Sequence, residues 1–197
     1  MSTAEPVPPI ALHDPTLMRA LAHPARLAIV GYLGRGRSAT ATECAELVGL
    51  SPSATSYHLR ALAKAGLVRE APSRGDGRER VWTSALDYFL VAADQHVEPE
   101  VRAAEEALMD SFLRLSAERT RRFMAGRETE APEWFAAAFA TESLLEVTAE
   151  ELEELRTKVY ELLQPYRRGE REQTPDGTRT VSISVNAVPL PPPGVKG

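Results

Sequence analysis

Hydrophobic positions recur at three- and four-residue spacing through residues 14–65, which predicts a run of short helices. Asp14-Pro15 opens the first, through Leu21, with a capping residue and a proline at the first helical position, where a missing N–H costs nothing. His23-Pro24 breaks it and opens the second, whose stripe is Leu27, Val30 and Leu33 and whose end is Gly34. Residues 34–38 read as a loop. Two more helices lie back to back in 40–65, broken at Val48-Gly49-Leu50. Thr40 with Glu43 forms a capping box ahead of the first, and Gly49 suits the left-handed residue that ends it. Ser51 caps the next helix, Pro52 takes its first position and Gly66 closes it. On that helix Thr55, Leu59 and Leu62 share one stripe, while Ser53, Ser56, Tyr57, Arg60 and Lys64 occupy the other side.

The period then changes. Residues 67–71, bounded by Gly66 and Pro72, and residues 78–83, with Val81 and Trp82, read as strands. Ser73-Arg74-Gly75-Asp76-Gly77 between them is a turn signal, so the pair is a β-hairpin bearing Arg69, Arg74, Arg78 and Arg80. Residues 86–91 read as a helix or linker leading out of it. Glu98-Pro99 opens a long helix to about Met124, with Val101, Ala104, Leu108, Phe112, Leu115 and Phe123 along one side. At about 1.5 Å per residue it is roughly 40 Å long, more than a small domain needs for its own core. A share in a dimer interface is therefore expected of it.

Beyond a charged loop at 126–132, Trp134, Phe135 and Phe139 lie in an alanine-rich segment that reads as a short helix. With Phe112 and Phe123 they form either core or the lining of a small apolar pocket, and core is the expectation. Residues 143–147 read as a short strand. Thr148 with Glu151 is a second capping box, opening a helix to about Tyr166 whose buried stripe is Leu152, Leu155, Val159, Leu162 and Tyr166. Glu150, Glu151, Glu153 and Glu154 suit the start of that helix and need no catalytic explanation. Residues 180–187 alternate cleanly, with Val181, Ile183 and Val185 on one face, the best strand signal outside the hairpin; its nearest partner is 144–147. The expected division is a flexible N-terminus (1–13), a first domain (14–90), a helical region (91–187) and a proline-rich tail (188–197).

The 197 residues suffice for one large or two small domains with a real core. With 43% hydrophobic and 26% charged residues the composition is that of a soluble protein. No apolar run is long enough to cross a bilayer and the N-terminus lacks a basic region followed by an apolar one, so a cytoplasmic location and no membrane partner are expected. Cys44 is the single cysteine, which excludes an intrachain disulfide and a multi-cysteine metal site, and its place beside Leu47 favours packing over reactivity. The histidines His13, His23, His58 and His96 are scattered rather than spaced as ligands, so neither metal nor cofactor is expected. The net charge of -5 is unevenly spread. Residues 51–82 carry six Lys and Arg (Arg60, Lys64, Arg69, Arg74, Arg78, Arg80) against three acids, whereas from Val91 onward 13 basic residues face 20 acidic ones. A basic patch on an acidic protein still binds phosphate, because charges are screened beyond about 8 Å at physiological salt.

A helix bearing short hydroxyls, an amphipathic aromatic and two cations, followed at once by an arginine-rich hairpin, has the order of a winged helix. The helix enters the major groove and reads base edges, and the hairpin meets the phosphates. The candidate DNA-binding residues are Ser51, Ser53, Ser56, Tyr57, Arg60, Lys64, Arg74, Arg78 and Arg80. The expected fold class is mainly α with a small β-hairpin wing: a winged helix-turn-helix DNA-binding domain plus a C-terminal helical region with a short C-terminal strand.

Ala22-His23-Pro24-Ala25-Arg26-Leu27, then Ser56-Tyr57-His58-Leu59 with Leu62, then Ala65-Gly66-Leu67-Val68 and Gly77-Arg78 together resemble the ArsR-type winged-helix repressors over roughly residues 15–84. The resemblance implies a homodimer that binds double-stranded DNA at a pseudo-palindromic operator and leaves it when a small-molecule effector binds. His58 stands where that family's helix commonly carries a histidine, and packing beside Leu59 is its expected role. Many metal-sensing relatives carry a cysteine pair where this chain has Thr40 and Thr42, and a hydroxyl does not replace a thiolate for a soft metal. The expected effector is therefore not a metal.

Two other functions compete. A winged helix used only for protein contact would suit a neutral recognition face, which Arg60, Lys64 and the wing arginines argue against. An enzyme descended from winged-helix methyltransferases would need a glycine-rich loop after a strand, and the hundred or so residues beyond Ser84 contain none. No nucleophile elbow or Ser/His/Asp set stands out either, so no catalytic residues are expected.

Overall fold

The computed structural model describes residues 10–12, 14–34, 37–73, 79–85, 89–90, 98–167 and 174–191. Four short helices come first: α1 (Pro15–Leu21), α2 (Pro24–Leu33), α3 (Ala41–Val48) and α4 (Pro52–Lys64). Each starts where a side chain satisfies an N–H of its first turn. Asp14 accepts from the Thr16 N–H at 2.7 Å, the His23 ring from Ala25 at 3.2 Å and Ser51 from Ala54 at 3.2 Å. Thr40 and Glu43 exchange both bonds of the capping box. Gly49, at φ 65°, ends α3 in the left-handed region that its missing Cβ makes accessible.

The described strands are β1 (Ile10–Ala11), β2 (Ser38–Thr40), β3 (Val68–Ala71), β4 (Val81–Ser84) and β5 (Phe89–Leu90). β2, β4 and β3 lie in that order in an antiparallel sheet, with Thr40 opposite Val81 and Ala71 opposite the same residue from the other side. The wing therefore has a third strand inside the segment that leads into α3. The Thr83 hydroxyl donates to the Arg37 carbonyl at 3.0 Å beside it. β1 and β5 form a short parallel pair, and Leu12 is buried. β1 and Leu12 lie ahead of Asp14, within the stretch 1–13, whose remaining residues lie outside the described ones. The linker expected at 86–91 contributes β5, and its other residues lie outside the described ones.

Leu21, Ile29, Leu33, Leu59, Leu62 and Leu67 fill the core between the helices and the sheet. Cys44 is buried there, and burial, aided by Glu43, pushes its thiol up to about 11. α5 (Pro99–Ala125) closes this core from the other side. Ala104 and Leu108 are buried in it, Phe112 and Leu115 pack against it, and an Arg19–Glu100 ion pair joins α1 to the start of α5. The apolar stripe that suggested a dimer surface is therefore used largely within the subunit.

The second half departs from expectation in three places. α6 (Pro132–Ala137) and α7 (Ala149–Leu163), with a 3₁₀ turn at Gln164–Tyr166, do form. Residues 180–187, and 143–147 with them, belong to no strand: neither pairs with the other or with any described segment, so the short C-terminal strand is absent from the single chain. The stripe of α7 is not buried, and Leu162 and Tyr166 are open to solvent. The five aromatics do not converge. Phe112 joins the first core, Phe123 stacks on Phe135 at 5.3 Å, and Phe139 is 84% exposed. The shared cause is physical: amphipathic segments report which side wants burial, and the described residues cover these sides only in part, leaving Leu152, Leu155 and Val159 half-buried.

The resulting architecture is a winged helix-turn-helix domain, α2 to β4 with α1 and α5 packed on it, followed by helical and unpaired segments.

Candidate nucleic-acid interface

The position of α4 follows from its own stripe. Thr55, Leu59 and Leu62 are fully buried beneath it, and His58 is buried beside them. That fixes which side faces outward. Ser51, Ser53, Tyr57, Arg60 and Lys64 are exposed and Ser56 is half-buried. Tyr57, at 60% exposure, is the largest side chain offered by this face. Arg60 donates from Nε to the Ser56 carbonyl at 3.2 Å, which lays its guanidinium along the helix rather than straight out. Ser51 spends its hydroxyl on the cap, so its lone pairs serve the helix first.

The wing is placed in part. Arg80 is exposed but lies 3.2 Å from Glu70 on the neighbouring strand, so part of its charge is already answered within the hairpin. Arg69 is exposed on β3. Arg74, Arg78 and the Gly75 turn lie outside the described residues. Six of the nine candidates, Ser51, Ser53, Ser56, Tyr57, Arg60 and Lys64, thus share one helix, and Arg80 stands on the hairpin that follows it.

The sequence pattern did not single out what lies under α4. The rings of His23 and His58 meet at 4.6 Å between centroids, tilted by 44°. Arg26 Nε donates to His58 Nδ1 at 3.4 Å, and its Nη1 donates to the Ala20 carbonyl at 3.2 Å. Burial, then Arg26, lowers the His23 pKa; burial, then His23 and Arg26, lowers that of His58. Both rings accept a hydrogen bond at Nδ1, which a protonated imidazole does not do. The pair is thereby held neutral, fastening the start of α2 to the middle of α4. The run Ala22–Leu27 contained both partners on α2, but their tie to residue 58 is long-range.

Among the described residues no group of His, Cys, Asp and Glu could hold a metal ion, and no helix is long and apolar enough to cross a membrane. Residues 21–71, spanning α2, α3, α4 and β3, match the family model described as a helix-turn-helix domain. No curated protein matches the chain. Among solved structures, reduced HlyU from Vibrio cholerae is similar at 27% identity, covering 47% of this chain and 81% of that one with a TM-score of 0.32. The apo form of a ZitR mutant from Lactococcus lactis is 19% identical, covering 74% and 83%, with a TM-score of 0.31. A MarR family protein of Mycobacterium tuberculosis in complex with salicylic acid is 17% identical, covering 76% and 87%, with a TM-score of 0.28. TM-scores of this size support no functional inference. The domain match and the outward face of α4 support a DNA-binding regulator of the helix-turn-helix kind.

Proposed function

We propose that this chain is a DNA-binding transcriptional regulator, a repressor of the ArsR type that acts as a homodimer on a pseudo-palindromic operator, and not an enzyme. The observation that carries this reading is the division of α4: Thr55, Leu59 and Leu62 are locked in the core while Ser53, Tyr57, Arg60 and Lys64 face solvent together. Serine hydroxyls near the N-terminus suit base edges or phosphates, Tyr57 brings an apolar ring with a hydroxyl tip, and the two cations suit guanine or the backbone. The wing, through Arg74, Arg78 and Arg80, adds phosphate contacts that position the domain without reading sequence.

A dimer holds two such helices about 34 Å apart, one turn of B-DNA. The stripe of α5 is spent on its own subunit, so the face left for a second copy is the one that carries Met109 and Leu113, both exposed. A small-molecule effector that favours one separation of the two helices over the other would release the operator through its differential affinity for the two states. It is not a soft metal bound at the start of α3, where Thr40 spends its hydroxyl on the capping box.

Gel shift of the full chain on its own promoter region, over a salt series, tests the reading. Binding that weakens linearly in log salt supports it. A folded protein that fails to retard that DNA even at low salt refutes it.

A further inference from the structure

Residues 139–190 expose eleven large apolar side chains, from Phe139 at 84% to Val147 at 42%. Together they present on the order of 1,000 Å² of apolar side-chain surface. A standard interface buries about 800 Å² on each partner, so the amount is what one stable contact consumes.

Within this region residues 180–187 are held in a definite attitude. Arg119 donates from Nη1 to the Ser182 hydroxyl at 3.1 Å. Arg179 grips Glu130 with bonds of 2.7 and 3.0 Å, and its guanidinium lies 4.8 Å over the Trp134 ring. The segment is thus pinned at two points to α5 and to the approach to α6. Ser182 is turned to the helix, so Val181 and Ile183, its neighbours in an alternating pattern, are left open on the other side.

The charge of the flanking helices is self-complementary. The last three turns of α5 carry Arg119, Arg121 and Arg122 against Glu118, while α7 carries five glutamates against Arg156 and Lys158. Neither helix covers the other within one chain, whereas a second copy brings the opposite charge to each.

We propose that residues 180–187 become a strand by pairing edge to edge with the same segment of a second copy across a twofold axis, and that the apolar faces of this shared sheet and of the two α7 helices close on each other. A twofold contact uses one patch twice, and main-chain pairing asks only for a free edge with alternating side chains. The inference rests on the dimeric part of the function proposed above and is independent of DNA binding. The pairing buries apolar side chains of a region in which no described residue of α6 or α7 is buried in the single copy.

Sedimentation equilibrium of the full chain reads it. Ile183 is open to solvent in one copy, so Ile183→Lys leaves a monomer undisturbed but buries a charge in the shared sheet, and the expected result is a dimer dissociation constant raised at least about a hundredfold. Val181→Cys, Ile183→Cys and Val185→Cys chains, mildly oxidised, are expected to give a covalent dimer at one position or more, with the buried Cys44 thiol unreactive. A constant unchanged in Ile183→Lys overturns the shared strand while leaving pairing through α5 and DNA binding intact. Absence of cross-link at all three positions overturns it as well. A wild-type chain that stays monomeric overturns both this inference and the dimer, and a gel shift on the same samples reports separately on the DNA reading.

Discussion

His23 and His58, thirty-five positions apart in sequence, meet at 4.6 Å between ring centroids, tilted by 44°, between the start of α2 and the buried side of α4. Each accepts a hydrogen bond through Nδ1, from Ala25 and Arg26 respectively. Protonation at Nδ1 would remove a helix cap in one case and set a cation against Arg26 in the other.

The pH dependence of stability follows in sign. Both folded-state pKa values lie below the ordinary imidazole value near 6.5, so the unfolded chain takes up protons first as pH falls. This pair contributes almost no slope from about pH 7.5 upward; stability declines as pH falls through about 6.5, and the loss levels off once the folded rings are protonated too. Urea unfolding at about pH 7.5 and about pH 5.5 should show a lower midpoint at the acid value, and the difference should shrink in His23→Asn/His58→Gln. An equal difference in wild type and double variant would place the acid sensitivity elsewhere.

Thr55 is fully buried in α4, and its hydroxyl has no hydrogen-bond partner among the described residues. A buried hydroxyl without a partner has lost its water and gained nothing, whereas valine keeps the branched shape. Thr55→Val is expected to raise unfolding free energy by about 1 kcal/mol, read from the urea midpoint at unchanged slope. A lower midpoint would mean that the hydroxyl is satisfied in solution.

The first helices were legible because their determinants are local. Asp14, Thr40 and Ser51 each cap a turn two or three residues on, and prolines mark three of the starts. β2 was not legible: three residues show no period, and what makes Ser38–Thr40 a strand is β4, more than forty positions away. The wing's cationic count was readable, but Glu70 standing against Arg80 was not, because it depends on strand register. Residues 180–187 show the opposite error. Their alternation was read correctly as a preference, yet a preference does not say whether the chain contains the partner. The outward face of α4 needed only the spacing of Thr55, Leu59 and Leu62, which is why six candidate residues fall together on it.

Two glycines separate conformational strain from crowding. Gly49 ends α3 at φ 65° and Gly31 lies inside α2, and a Cβ at either position meets nothing within 4 Å. Gly49→Ala pays for a left-handed backbone and should lower stability by about 1 kcal/mol. Gly31→Ala, helical and exposed, should raise it by about 0.5–1 kcal/mol, since glycine is a poor helix former. Thermal melts of the two variants should move in opposite directions. Equal shifts would show that backbone geometry is not what distinguishes the sites.

The final prediction separates reading from anchoring. Tyr57 is exposed on α4 and in the proposed function meets base edges, whereas Arg78, by its place in the sequence after the Gly75 turn signal, is assigned there to phosphate. Tyr57→Ala should therefore change the ratio of operator to random-DNA affinity, by about 1–3 kcal/mol if one base contact is lost. Arg78→Ala should weaken both DNAs alike and reduce the slope of log affinity against log salt by about 1. Fluorescence anisotropy with both duplexes over a salt series reads the two effects in one experiment. If Tyr57→Ala left the ratio fixed, or Arg78→Ala left the slope fixed, the corresponding side chain would not hold the role given to it. If the two variants exchanged effects, the hairpin rather than α4 would be the element that reads sequence.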